Sequence, residues 1–310
     1  MKRLLVLSLA LLTLAGCGAQ ATAASDTGVN TSAEQNRVTT ARNDAAAALL
    51  PAKIRDRGTL VVGAGFGSGS VPLGFYADDN KTPIGLEVDI AYLVAEALGL
   101  KPEVQVTSWE NLFVGLDSAK YDVGFSNITV TEKRKQKYDF ATYRKDDIAF
   151  EAKKGGTWRV TSGKDIAGKT IAVGSGTNQE KILVDWNEAN VKAGLPAATI
   201  KYFQKNTDTY LALSSGRIDG YFGPNPSIAY HVKTSGDTET IGKFSGAGLT
   251  LQGLIAATTK KDSGLVQAYQ AAIDGVIADG SYAKVLERWN VSTEAVGKSE
   301  INPPGLPLTS

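Results

Sequence analysis

Two stretches of the chain carry residue types that could hold an anion. Gly174-Ser175-Gly176-Thr177 runs into a helical pattern beginning at Asn178, and backbone N–H groups at such a junction, with the positive end of the helix dipole, favour a negative group. A phosphate cradle is a second reading of the same loop, but no Lys stands at the P-loop position, so the contact to the outer phosphates is missing. The other stretch is the basic run Lys133-Arg134-Lys135. A guanidinium fork matches a carboxylate bidentately, although residue types alone favour a solvated basic face. The remaining inventory is restrictive. The single His231, in the helical pattern around Ala229 to Val232, cannot assemble a His-rich metal centre, and the single Cys17 excludes internal disulfides and zinc sites of several thiolates.

The chain has 310 residues, 33 Lys+Arg against 32 Asp+Glu, with 43% hydrophobic and 21% charged residues. This length accommodates roughly one to three domains around a packed core, and the composition is that of a globular protein rather than a disordered, fibrous or multi-span membrane chain. A net charge of +1 gives no electrostatic footprint for nucleic acid. Neither a metal nor a cofactor is expected.

At the N-terminus Lys2 and Arg3 precede a run from Leu4 to Leu14 that is apolar except for Ser8 and Thr13. It is shorter than the about 20 residues of a spanning helix and reads as the apolar region of a secretory signal over residues 1–16. Leu14-Ala15-Gly16-Cys17 resembles the bacterial lipobox, which implies that the Cys17 thiol is acylated and that Cys17 becomes the first residue of the mature chain. An ordinary signal peptide containing a Cys is the alternative. Gly18 to Asn36 is rich in Ala, Thr, Ser, Asn and Gly without apolar periodicity, a composition that does not offset the entropy of ordering. Residues 17–52 are therefore expected to be a lipidated Cys and flexible tether, holding an extracytoplasmic protein at a membrane surface.

From about Lys53 short β-rich runs alternate with helical patterns. Leu60–Gly63, Val104–Val106 and Val123–Phe125 read as strands. Leu86, Ile90, Leu93, Val94, Ala97 and Leu98 share one helix face, and Ser108 caps a helix carrying Leu112, Phe113 and Leu116. After the Lys153-Lys154-Gly155-Gly156 turn the pattern repeats, with strands at Thr170–Val173, Ile200–Phe203 and Ile218–Phe222 and helices at Asn178–Asn190 and Thr207–Ser215. The order β-α-β-α-β implies a mostly parallel sheet flanked by helices. Two such units in tandem, with a return near Leu249 to Ala257 and helices carrying Val266, Tyr269, Ile273, Val276 and Ile277, predict two lobes joined by two crossover strands. The expected division is residues 53–146 with 256–296 for lobe I, 147–255 for lobe II, and a Pro-rich tail over 297–310. A small ligand belongs in the cleft between the lobes.

Gly85-Leu86-Glu87-Val88-Asp89-Ile90, Ser108-Trp109-Glu110-Asn111-Leu112, Lys120-Tyr121-Asp122-Val123, Thr129-Val130-Thr131-Glu132-Lys133-Arg134 and Asp139-Phe140, then Gly168-Lys169-Thr170, Gly174-Ser175-Gly176-Thr177, Gly216-Arg217-Ile218-Asp219-Gly220, Asp279-Gly280-Ser281-Tyr282 and Trp289, follow in an order that resembles the polar amino-acid family of ABC-importer solute-binding proteins. The resemblance covers Lys53 to Val291. It implies an α/β, type II periplasmic-binding-protein fold whose lobes close on a ligand. It further implies that Arg134 clamps the ligand α-carboxylate, with Thr129 adding a hydrogen bond, and that the Asn127 carbonyl receives the ligand ammonium. Trp109 matches an aromatic that stacks on the ligand side chain, with a core or helix-start role as the alternative. Thr177 and Asn178 fall where the second lobe presents N–H groups to the carboxylate.

Departures from the family pattern concern the amine. The family's Asp that pairs with the ligand ammonium is replaced by Pro224 in Gly223-Pro224-Asn225-Pro226. A buried ammonium without a counter-charge is costly, so either Asn225 or another group substitutes, or the ligand lacks a free primary amine. In the first lobe the family's Pro-Phe is Pro72-Leu73, Ser70 replaces the usual aromatic on the site, and Phe140-Ala141-Thr142-Tyr143 is one residue shorter than usual.

The expected protein is a monomeric, lipid-anchored receptor that captures an amino acid or analogue and presents it to an ABC permease. The competing readings are an extracytoplasmic enzyme resembling cyclohexadienyl dehydratase, which needs a cleft carboxylate as general acid, and a ligand-sensing adaptor dependent on a membrane partner.

Overall fold

A computed structural model describes residues 28–66, 70–203 and 205–308. The expected signal segment and Cys17 lie outside the described residues. Two short helices, α1 (Asp44–Ala48) and α2 (Ala52–Arg57), lead into strand β1 (Thr59–Gly65), the small strands β2 (Phe75–Tyr76) and β3 (Pro83–Ile84), helix α3 (Leu86–Ala97), strand β4 (Lys101–Thr107), helix α4 (Trp109–Asp117) and strand β5 (Val123–Gly124). The long strand β6 (Tyr138–Lys153) follows. A second run comprises β7 (Thr170–Val173), α5 (Asn178–Lys192), β8 (Thr199–Tyr202), α6 (Asn206–Ser214), β9 (Gly220–Pro224), α7 (Asn225–Ser235) and β10 (Thr238–Ser245), and the chain returns through β11 (Gly253–Lys260), α8 (Val266–Ala278) and α9 (Ser281–Arg288).

All the described strands but two form one sheet, β4-β1-β5-β11-β6-β9-β7-β8 with β10 also paired to β6, while β2 and β3 pair with each other in a small separate sheet. In the first lobe β1 pairs in parallel with β4 and β5; in the second β7 pairs in parallel with β8 and β9. The strand joining them is β6. Its residues Tyr138–Asp146 pair antiparallel with β11, and its residues from Asp147 onward pair with β10. The change of partner at Asp146 and Asp147 marks where the chain leaves one lobe for the other.

Two large cores flank this junction. Leu60, Val62, Leu86, Ile90, Leu93 and Val94 pack with Tyr269, Ile273 and Val276 of α8 in the first, and Ile148, Phe150, Ile171, Leu183 and Phe222 in the second. Each fully buried Leu or Ile contributes about 1.5–3 kcal/mol relative to exposure. Thr177 starts α5 by accepting the Glu180 N–H at 3.1 Å, and α7 stops at Gly236, whose φ of 72° is the left-handed conformation that suits glycine.

The described part of the expected tether is packed. Asn43 caps α1 by accepting the Ala46 N–H at 3.1 Å and donates its own N–H to the Ala97 carbonyl at 2.8 Å, while Ala46 and Leu50 are buried in the first core. Arg37 pairs with the buried Asp89 at 3.0 Å. These contacts involve isolated residues rather than a period, so hydrophobic patterning does not register them. The Pro-rich C-terminal segment is likewise a strap, with Ile301 bridged to Ala141 and Leu306 to Thr131.

Candidate functional site

A cavity of about 200 Å³ opens between the lobes. The first lobe contributes Ser70, Glu87, Trp109, Glu110, Ser126 and Asn127, and the second Ser175, Thr177, Asn178, Tyr202, Tyr221 and Pro224. The polar groups come from strand ends and helix starts. Trp109 and Glu110 open α4, whose N-cap Ser108 accepts from Asn111 N–H, and Thr177 and Asn178 open α5 beyond β7. Asn127 adopts a φ of +52°, which Asn tolerates better than most residues, and its N–H donates to Glu87 Oε2 at 2.9 Å.

Arg134 stands at the edge of this cavity and does not line it. Its guanidinium donates to the Thr129 carbonyl at 2.9 Å and to the Gly176 carbonyl of the second lobe at 3.2 Å. It lies 5.2 Å from the Trp109 ring centroid and 5.4 Å from that of Phe113. Among the described residues no carboxylate forms an ion pair with it. Burial pushes its pKa down to about 10, against the opposing charge of Asp146.

Thr129 is placed differently from the expectation. It is fully buried, and its hydroxyl donates to Asp146 Oδ2 at 2.7 Å, so that proton is committed within the protein. Asn178 donates to the same oxygen at 2.9 Å and to the Gly246 carbonyl at 2.8 Å. A Cβ on Gly246 would meet Asp146 Oδ2 at 1.7 Å, so only glycine admits the carboxylate there. Desolvation raises the Asp146 pKa, and the Thr129 and Asn178 hydrogen bonds with the Arg144 charge restrain it.

Beneath the cavity lies a charged cluster that the sequence reading missed. The fully buried Arg144 of β6 donates to Glu87 Oε1 at 3.1 Å and also to Glu294 and the Asn127 side-chain oxygen. Burial works against the Arg144 charge, but Glu294 and Glu87 outweigh it and hold its pKa above the ordinary value. Glu87 Oε2 also accepts from Tyr143 Oη. Burial pushes Glu294 up to about 7, although Arg144 and Asn225 oppose it. Asn225, expected near the ligand amine, instead donates to Glu294 Oε1 at 3.1 Å and lines a neighbouring interlobe cavity of about 290 Å³. At the N-terminus of α7 its side chain is turned away from the first cavity. The structure thus gathers Ser70, Trp109, Asn127, Thr177 and Asn178 in one cleft, sets Arg134 at its edge, and removes Thr129 and Asn225. The signal that could have found Glu87 was the alternation of acidic and apolar residues in Leu86-Glu87-Val88-Asp89-Ile90 at the helix start.

Residues 62–292 match the bacterial extracellular solute-binding proteins, family 3. The chain is 31% identical over 239 residues to the L-cystine-binding protein TcyJ of Escherichia coli (strain K12), covering 76% of this chain and 84% of that protein. Its fold is similar to an ancestral arginine-binding protein bound to arginine, with a TM-score of 0.65, 28% identity and coverage of 75% of this chain and 98% of the other. A third similarity is to the ancestral amino acid-binding protein AncCDT-1, a precursor of cyclohexadienyl dehydratase, with a TM-score of 0.62, 28% identity and coverage of 76% and 97%. With its interlobe cleft and two α/β halves joined through β6, the chain belongs to family 3 of the bacterial extracellular solute-binding proteins.

Proposed function

We propose that this protein captures an amino acid in the extracytoplasmic space by closure of its lobes and delivers it, chemically unchanged, to an ABC permease. The observation that carries this reading is Arg134, a guanidinium without an ion-pair partner among the described residues, bonded to one carbonyl of each lobe at the edge of the cleft. A half-buried guanidinium so held presents its remaining donors to an anion, and a ligand carboxylate bound there ties the two lobes together. The Gly174–Thr177 loop and the first turn of α5 supply N–H groups on the facing wall, and Trp109 supplies an aromatic face. The lobes move as 53–146 with 256–296 against 147–255. Acylation of Cys17 holds the monomeric protein at the membrane surface, and palmitate labelling lost in Cys17→Ala checks that part.

Isothermal titration of the purified, ligand-stripped protein with the common amino acids and L-cystine tests the central reading. At least one should bind with micromolar or tighter affinity and be recovered intact by mass spectrometry. Absence of binding by all of them, or conversion of the bound solute, overturns it.

A further inference from the structure

We infer that the cleft selects an amino acid with a cationic side chain, its α-ammonium received by Glu87 and its side-chain cation by Glu110, both from the first lobe. This rests on the amino-acid reading above and names the class of solute. Among the described residues lining the cavity, Glu87 and Glu110 are the only charged side chains. The second lobe offers Pro224 where it could have offered a carboxylate.

Glu87 is 2% exposed and accepts three hydrogen bonds, from Asn127 N–H, Tyr143 Oη and Arg144. A carboxylate has about four acceptor sites, so one remains on a group that lines the cavity. Its charge is not fully matched either. Glu87 and Glu294, each 2% exposed or less, share the single buried Arg144. A ligand ammonium against Glu87 supplies the missing counter-charge.

Glu110 is exposed in the first turn of α4, adjacent to Trp109, and forms no ion pair with any described residue. Phe66, Tyr202 and Phe203 line the same cavity, and aromatic faces beside a carboxylate suit a guanidinium or ammonium group. A neutral side chain of the same shape would leave Glu110 unanswered.

Titration with L-arginine, its uncharged isostere L-citrulline, and Nα-acetyl-L-arginine tests both contacts. L-arginine should bind about 30-fold or more tighter than either analogue, the range expected for loss of a partner from a charge pair that lobe closure desolvates. Glu110→Gln, at an exposed site, should keep the melting temperature and collapse the arginine-to-citrulline ratio to about 3-fold or less. Glu87→Gln should collapse the ratio of L-arginine to its acetyl derivative; if that variant does not fold, the wild-type ratio decides. Equal binding of L-arginine and L-citrulline, or an unchanged ratio in Glu110→Gln, overturns the inference. Binding of L-cystine or a neutral amino acid but not L-arginine overturns it while sparing the amino-acid reading, and binding of no amino acid removes both.

Discussion

Asn178, in the first turn of α5, donates its side-chain amide to the Asp146 carboxylate at 2.9 Å. This contact ties the second lobe to the point on β6 where the strand exchanges β11 for β10. Asp146 is 1% exposed, and its Oδ1 has no hydrogen-bond partner among the described residues. Asp146 therefore depends on Thr129 and Asn178 for its solvation.

Removing the amide should loosen the junction. Asn178→Ala deprives a buried carboxylate of a donor, with an expected loss of about 1–3 kcal/mol. Urea unfolding should show the midpoint falling at unchanged slope, and small-angle scattering should show a more open ligand-free particle. An unchanged midpoint would contradict the assignment.

Trp109 should report ligand binding by fluorescence. Of the four tryptophans, Trp158 and Trp186 pack against the second core, Trp289 is 1% exposed beside the neighbouring cavity, and Trp109 alone lines the first cavity. Saturating ligand should shift the emission of the wild type, and Trp109→Phe should abolish most of that shift. A full shift in the variant would place the ligand elsewhere.

Acidification should stabilise the protein before it destabilises it. Glu294 rises from 4.5 to about 7 through burial, so between those values the folded protein holds a proton that the unfolded chain releases. The penalty for burying the ionised group is present above about pH 7 and is relieved as pH falls, worth about 3 kcal/mol. Asp89 and Asp146, also raised by desolvation, act with the same sign. Glu132 and Asp165, held low chiefly by backbone hydrogen bonds from Gly305 and Thr161, contribute above the ordinary carboxylate range and lose that contribution in acid. The melting temperature should rise from pH 8 to a maximum near about pH 5–6, and Glu294→Gln should flatten the rise. A monotonic fall from pH 8, or an unchanged slope in the variant, would contradict this balance.

The Thr177 cap should affect stability more than affinity. Its hydroxyl accepts the Glu180 N–H at 3.1 Å and donates to the Gly174 carbonyl at 2.7 Å. Thr177→Ala should destabilise the protein by about 1 kcal/mol, read by urea unfolding. A loss of ligand affinity with full stability would instead assign the hydroxyl to the ligand.

Parallel elements were legible where period and punctuation coincide. Thr170–Val173 is the observed β7, and the helix read from Asn178 is α5, extended to Lys192. The strand that joins the lobes was not legible. Tyr138–Lys153 mixes buried Arg144, Asp146 and Glu151 among apolar residues, so it matches neither a continuous apolar run nor a clean alternation. Thr129 and Asn225 belong to the expected motif, but tertiary neighbours claim their polar atoms: Asp146 takes the Thr129 hydroxyl and Glu294 takes the Asn225 amide. Glu87 reads as one acid in an amphipathic helix start, and only the approach of Arg144 from β6, distant in sequence, brings out its role. The packing of residues 28–52 rests on single anchors such as Asn43 and Leu50, which leave no repeating mark.

Calorimetric titration of Arg134→Ala and Arg134→Lys with the solute that binds the wild type most tightly tests directly whether Arg134 holds the ligand carboxylate. Affinity should fall by at least about 30-fold in the alanine variant and recover in part with lysine, which keeps the charge without the bidentate fork, while both variants unfold cooperatively. Wild-type affinity in a folded Arg134→Ala would contradict that role.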